Sequence, residues 1–394
     1  MTEMKLHKTP RNYLIHEELM RKVNSFGGFF DGTGVLDEFV NEIYSHFDAM
    51  TQLLAVHPRT HIKRPIYTEL INNEGVNAFC YASSDENHPY DFIGINVGAV
   101  ASVLEVCNRL LSLPFFLPDV GNSELEQSDR TLCGYWHESS LYADRSLCIP
   151  NDSIRAMFAN ELAMKMVAFI YFHEAAHLNN GHLEFIASRA FTYYMLEKKS
   201  FDPKLIAPLI RQTLEMDADA GAIEKMLIFS DAARKGLLPT LIDEPNYYLA
   251  YSALIGSPSA IVRCGFLASV LFYRLFQDKY YNVNWGAAMQ ENLPWPSVPM
   301  REHLTCITLI EVTKRFPEVF GKQEQIAELM FKVKGDVEKA MAFIEERDAS
   351  DVYLSPLSVQ GGPEYLRKLL STWKEIRPDL VPNVRRGSIA AAQD

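Results

Sequence analysis

The segment that most constrains the fold lies between residues 151 and 181. Ile154, Phe158, Leu162, Met166 and Ile170 recur at helical spacing, and the run from Met166 to Phe172 is strongly apolar. Asn151 or Asp152 can cap the start, because a short side-chain oxygen accepts from the free N–H groups of the first turn. Asn179-Asn180-Gly181 should end the helix, since glycine readily takes the left-handed conformation that closes one. Near its end this helix carries His173-Glu174-Ala175-Ala176-His177, and two surface histidines would not need such apolar surroundings.

A chain of 394 residues, 48% hydrophobic and 22% charged, can bury a sizeable core without disulfides. The net charge of −12 argues against a global grip on nucleic acid or anionic lipid, so no nucleic-acid partner is expected. The six cysteines include no CxxC pair and read as reduced, buried residues. The first 20 residues lack the apolar run and small-residue cleavage site of a secretory signal, which predicts a cytoplasmic protein. Ala260 to Phe276 is largely apolar, but it is short of the roughly 20 residues a bilayer needs. It also carries Arg263 and Arg274, each costing about 2.5–3.5 kcal/mol at a membrane centre. It is read as a buried core helix, and no spanning segment is expected.

The first 60 or so residues read as mostly helical, broken by turns at Gly27-Gly28 and at Asp31 to Gly34. Val76 to Ala82 alternates and is rich in β-formers. After a polar turn, Asp91 to Val97 offers a second strand, so the pair reads as a β-hairpin. Helical composition returns from Gly98 to Leu111, followed by a proline-punctuated loop region to about Pro150. Another helix should begin near Pro208 and run through Phe229, and the C-terminal third is mainly helical, including Glu324 to Arg347. The last residues, from about Val384, read as frayed. The fold class expected is α+β, mostly helical, with a small hairpin or sheet beside the histidine helix. The segments are an N-terminal helical part (1–65), a central core (66–310) and a C-terminal helical part (311–394).

His173-Glu174-Ala175-Ala176-His177 matches the pattern HExxH, which chance supplies about 0.02 times in a chain of this composition. Residues i and i+4 lie one above the other on a helix, so the two imidazoles can converge on one ion, and neutral imidazole suits zinc. Glu174 sits about 100° around the helix, where its carboxylate reaches a metal-bound water without becoming a ligand. Glu215 and Asp219 share a face of the downstream helix. Glu215 can complete a His₂Glu set with an open fourth position, and Asp219 can accept the second N–H of a ligating histidine. Ala218, Ala220, Gly221 and Ala222 let that helix approach closely.

HExxH followed by ExxAD resembles the gluzincin metallopeptidases of the CAAX-prenyl-protease type, and Asn77-Ala78-Phe79 resembles the NAF strand of that group. The closer resemblance is to the Lit family of phage-exclusion proteases, whose pattern runs HExxH, Gly-His, then E-x-D-A-D. Here those positions are His173 to His177, Gly181-His182 and Glu215 to Asp219. The similarity spans roughly residues 70 to 230. It implies a zincin-like fold, a protein substrate, and a role in phage defence with a translation factor such as elongation factor Tu as target. The relatives' His-Pro pair followed by arginine is altered to Ser297-Val298-Pro299-Met300-Arg301. The oxyanion partner therefore stays open among His182, Tyr193, Tyr194, Arg301 and His303.

The expected function is a zinc endopeptidase. His173, His177 and Glu215 would ligate Zn²⁺, Glu174 would act as general base, and Asn77, Ala78 and Phe79 would bind an extended substrate as an added strand. A non-catalytic metal site in a regulatory or interaction protein is the alternative. A third form is an enzyme that waits for an activating partner or peptide.

Overall fold

The computed structural model describes residues 17–30, 37–55, 64–83, 89–127, 148–188, 208–237, 245–277, 296–320, 323–344, 361–385 and 389–390. Among them, helices α1 (Glu17–Ser25) and α2 (Asp37–Ala55) precede strands β1 (Ile66–Ile71), β2 (Ala78–Ala82) and β3 (Asp91–Asn96). Then come α3 (Val97–Leu111), α4 (Ser153–Asn179), α5 (His182–Ser188), α6 (Pro208–Arg234), α7 (Pro245–Ile255) and α8 (Pro258–Gln277). Helices α9 (Val298–Arg315), α10 (Pro317–Phe320), α11 (Gln323–Ile344) and α12 (Gly362–Leu380) complete the order. The architecture is α+β, mostly helical with one small sheet.

Helix α4 is the axis of the molecule. Asp152 caps it by accepting from the Arg155 N–H at 3.0 Å, and Gly181, at φ +77°, turns the chain into α5. Its residues are buried on nearly all sides, because α3, α6, α7 and α8 and the sheet surround it. The apolar run of 166–172 thus faces protein in every direction, as expected of a helix that is hydrophobic all round. Arg155, fully buried, anchors the loop after α3. Its guanidinium donates to the carbonyls of Leu111, Leu113, Phe116, Leu117 and Val120 at 2.8–3.0 Å.

The sheet has the order β1-β3-β2, with β2 antiparallel and β1 parallel to β3. The hairpin read from sequence is therefore β2–β3, and β1 is an additional strand that the sequence analysis did not foresee. Every residue of β3 is buried, as befits a central strand. The outer side of β1 is bridged by Phe29 opposite Ile71, with Phe30 N–H donating to the Leu70 carbonyl at 3.0 Å. No strand covers the outer side of β2 among the described residues.

The main hydrophobic cluster is continuous from Val40 on α2 to Met341 on α11, and α9 runs across position 310. A second cluster joins α5, α6 and α9 to Tyr365, Leu369 and Trp373 of α12. Helix α8 is long and apolar enough to cross a bilayer by composition alone, yet most of it is buried inside the fold. Its Arg274 is fully buried in an ion pair with Glu338 at 2.8 Å, and Arg263 pairs with Asp119 at 2.5 Å.

The expectation of fraying from Val384 is overturned at the residues described there. Val384 and Ile389 are buried, and Arg385 forms ion pairs with Asp91 and Glu184. Apolar side chains and a paired arginine hold these residues where a chain end is ordinarily untethered.

Candidate metal centre

His173 and His177 project from the last turns of α4 toward Glu215 on α6. Their Nε2 atoms lie 3.2 Å apart, and Glu215 oxygens lie 3.3 Å from His173 Nε2 and 3.8 Å from His177 Nε2. The three residues form a group able to hold a metal ion, with both histidines buried and Glu215 partly so. No further His, Cys, Asp or Glu joins this group among the described residues. Close helix packing makes the convergence: a Cβ placed on Gly221 would come within 3.0 Å of the Ala176 side chain. Phe272 and Phe169 flank the His173 ring with centroids 6.1 and 6.5 Å away, giving the site an apolar wall.

Each histidine is held from behind by a different chain of polar groups. Asp219 Oδ1 accepts from His173 Nδ1 at 2.9 Å. Arg301 in turn grips Asp219 with two bonds, Nε to Oδ2 at 2.7 Å and Nη2 to Oδ1 at 2.6 Å. The Arg301 guanidinium lies over Tyr273, 4.4 Å from the ring centroid. On the other side, His177 Nδ1 lies 2.9 Å from His182 Nδ1, and His182 Nε2 lies 3.0 Å from Asp217 Oδ2. Asp217 as acceptor fixes the N–H of His182 on Nε2, so His182 Nδ1 accepts from His177 Nδ1–H. In both chains the ligand histidine keeps its proton on Nδ1 and points an Nε2 lone pair at the other.

Two lone pairs 3.2 Å apart, with a carboxylate beside them, offer a place for a cation. Without an ion a proton fills that role. Burial opposes a charge on His173, but the hydrogen bonds and charges of Asp219 and Glu215 outweigh it and hold the pKa up at about 10. Burial dominates at His177 and pushes its pKa well down. Burial pushes the Glu215 carboxyl up, yet His173, His177 and Arg301 outweigh this and hold it well below the usual range.

Glu174 is partly exposed beside this group. Burial raises its pKa to about 7; the His173 charge opposes the rise, the Glu215 charge adds to it, and a hydrogen bond with the Cys80 thiol opposes it. That bond places the middle of β2 against Glu174. Asn77, just before β2, is exposed, and its carbonyl accepts from Asn96 N–H at 3.0 Å. Ala78 is half-buried at the start of the strand. The Phe79 side chain turns away into an aromatic cluster, 4.6 Å from the Phe26 ring and 5.9 Å from Phe92. Phe79 can therefore meet a substrate through its backbone only.

The candidates for an oxyanion partner separate clearly. His182 is fully buried and committed to His177 and Asp217, which removes it from the oxyanion candidates. Arg301 is committed to Asp219. Burial lowers the pKa of His303, and the charge of Lys334 adds to the effect. Tyr193 and Tyr194 lie outside the described residues. Two groups escaped the sequence reading of roles. Asp217 belongs to the E-x-D-A-D pattern but sits on another face of α6, so helical spacing did not connect it with His182. Arg211 is half-buried one turn before Glu215, and its charge acts on both Glu215 and His177. Its i−4 spacing from Glu215 was the available signal.

No protein-family model, curated protein or solved structure matches this chain.

Proposed function

We propose that this chain is a zinc-dependent endopeptidase with a zincin-like core, acting on an extended segment of a protein substrate. The observation that carries the reading is geometric: Glu174 adjoins His173 on α4, directly beside a group of two histidines and one glutamate able to hold a metal ion. A purely structural site is normally closed by four protein ligands and has no use for a base at its edge.

His173, His177 and Glu215 would hold the ion, and a His₂Glu donor set with anchored Nδ1–H groups suits zinc. When bound, zinc lowers the pKa of a coordinated water toward about 7 and polarises a carbonyl. Glu174, beside that site, would take the proton released by the attacking water and return it to the leaving amine. The apolar wall of Phe169 and Phe272 keeps the dielectric low around these charges. The outer side of β2 offers backbone N–H and C=O groups to an extended peptide next to Glu174, and such pairing favours a protein segment over a small molecule. The motif resemblance makes a translation factor the first substrate to offer, and phage defence the setting to examine.

The test begins with elemental metal content of purified wild type and Glu215→Ala. The reading expects about one zinc per wild-type chain and loss of most of it in the variant. Glu174→Gln should keep the zinc and lose proteolysis. Folded wild type that takes up no zinc would remove the peptidase reading, and proteolysis retained in Glu174→Gln would remove Glu174 from it.

A further inference from the structure

Ala390, 10 residues after α12, reaches the back of the candidate metal centre. Asp217, which supports His177 through His182, is 1% exposed and accepts from three donors. These are His182 Nε2 at 3.0 Å, Asn180 Nδ2 at 2.6 Å and the backbone N–H of Ala390 at 2.8 Å. The third donor comes from a point 173 residues away along the chain. Ala390 is itself fixed through its carbonyl, which accepts from Arg377 Nε at 2.9 Å and Trp373 Nε1 at 3.3 Å.

Further contacts seat the same segment on the corner between α4 and α5, on β3 and on α6. Arg385 N–H donates at 2.7 Å to the Asn179 carbonyl, one of the last carbonyls of α4, which has no partner within the helix. The Arg385 guanidinium pairs with Glu184 on α5 and, at 2.5 Å, with Asp91 at the start of β3. Gly181 meets Asn383 so closely that a Cβ on it would come within 2.5 Å of that side chain. Ile389 is buried in the cluster that includes Leu214 and Met216, the residues either side of Glu215.

We propose that the segment bearing Arg385, Ile389 and Ala390 is a built-in clamp of the metal centre. Its docking completes the donor set of Asp217, which orients His182 and thereby the Nε2 lone pair of His177. The inference rests on the metal reading above and adds a positioning role to a part of the chain with no ligand in it. Groups that orient a ligating histidine typically change metal affinity by about 10- to 100-fold when lost. Coupling between two binding events is reciprocal, so metal must strengthen docking of the segment by the same factor.

The test uses the full chain. Zinc affinity is measured by competition with a chromophoric chelator for wild type, Arg385→Ala and Ile389→Asp. Neither residue touches a ligand, and each variant is expected to bind zinc about 10- to 100-fold more weakly. In parallel, hydrogen exchange of the C-terminal peptide of wild type is followed by mass spectrometry with and without zinc. Exchange should slow by a comparable factor when zinc is bound. Folded variants with wild-type zinc affinity and a lower melting temperature would show that the segment adds only stability, and would overturn the clamp. Exchange in wild type that ignores zinc overturns it as well, and decides alone if the variants fail to fold. Wild type that binds no zinc removes the metal reading and the clamp with it.

Discussion

Replacing Asp219 by asparagine isolates what orients His173. The carboxylate is used as an acceptor on both sides: Oδ1 from His173 Nδ1 at 2.9 Å and Arg301 Nη2 at 2.6 Å, Oδ2 from Arg301 Nε at 2.7 Å. An asparagine has one acceptor oxygen and one donating NH₂ in the same space. Whichever way it turns, a donor of Arg301 or His173 faces another donor. Arg301 is 4% exposed, so water cannot replace the lost partner. Removing one member of a buried pair costs about 3–5 kcal/mol of stability. Loss of the acceptor on a ligating histidine weakens metal binding about 10- to 100-fold, or about 1.4–2.7 kcal/mol. Denaturant unfolding of metal-free protein reads the first number, and zinc competition against a chelator reads the second. Asp219→Leu with Arg301→Met separates them. Removing the whole ion pair should return most of the stability, because neither charge is left buried alone. Zinc affinity should stay low, because His173 still lacks its acceptor. A folded Asp219→Asn protein with wild-type zinc affinity, or a double variant that regains affinity along with stability, would refute the reasoning.

Other outcomes follow from the same physical terms. With His173 held protonated up to about pH 10 in the metal-free protein, zinc must displace that proton. About one proton should be released per ion, and apparent affinity should rise about tenfold per pH unit between about pH 6 and 9. Calorimetry in buffers of different ionisation enthalpy counts the proton, and affinity that does not change with pH contradicts the assignment. Arg155→Met should destabilise the protein by about 4 kcal/mol, because the five carbonyls it satisfies are buried with it. A loss below about 1 kcal/mol in urea unfolding would show that the loop finds other donors. Lys165, buried on α4 and bonded to Ser230 Oγ at 2.6 Å, has its pKa lowered by burial to about 8, against 10.5 in the unfolded chain. Between those values the unfolded state holds more protons, so the Lys165 contribution to stability rises with pH from about 8 to 10.5. The difference between the wild-type and Lys165→Met stability profiles should show that rise, and a flat difference would contradict it.

Local chemistry made much of this protein legible along the chain. An Asp152 cap, apolar residues at helical period and a glycine that accepts positive φ define α4 without reference to anything distant. The i, i+4 rule likewise places His173 with His177, and Glu215 with Asp219, on single faces. The β2–β3 hairpin was visible for the same reason, since alternation and a polar turn are short-range signals. Strand β1 was not, because its place beside β3 is a long-range parallel pairing that no local pattern encodes. Tertiary structure also decided which polar groups stand behind the candidate metal centre. His182 and Asp217 meet only because the corner after α4 packs onto α6, and Arg301 reaches Asp219 from a third helix. The segment after α12 reads as frayed because the last residues of a chain are seldom tied down. Docking overrode that expectation, since Arg385 finds two carboxylates and Ala390 a buried one. The sequence by itself determined α4 and the pairings of His173 with His177 and of Glu215 with Asp219, because those depend on spacing over one or two turns. Which groups hold the ligands in place depends on contacts across up to 173 residues, and only the packed structure brings those together.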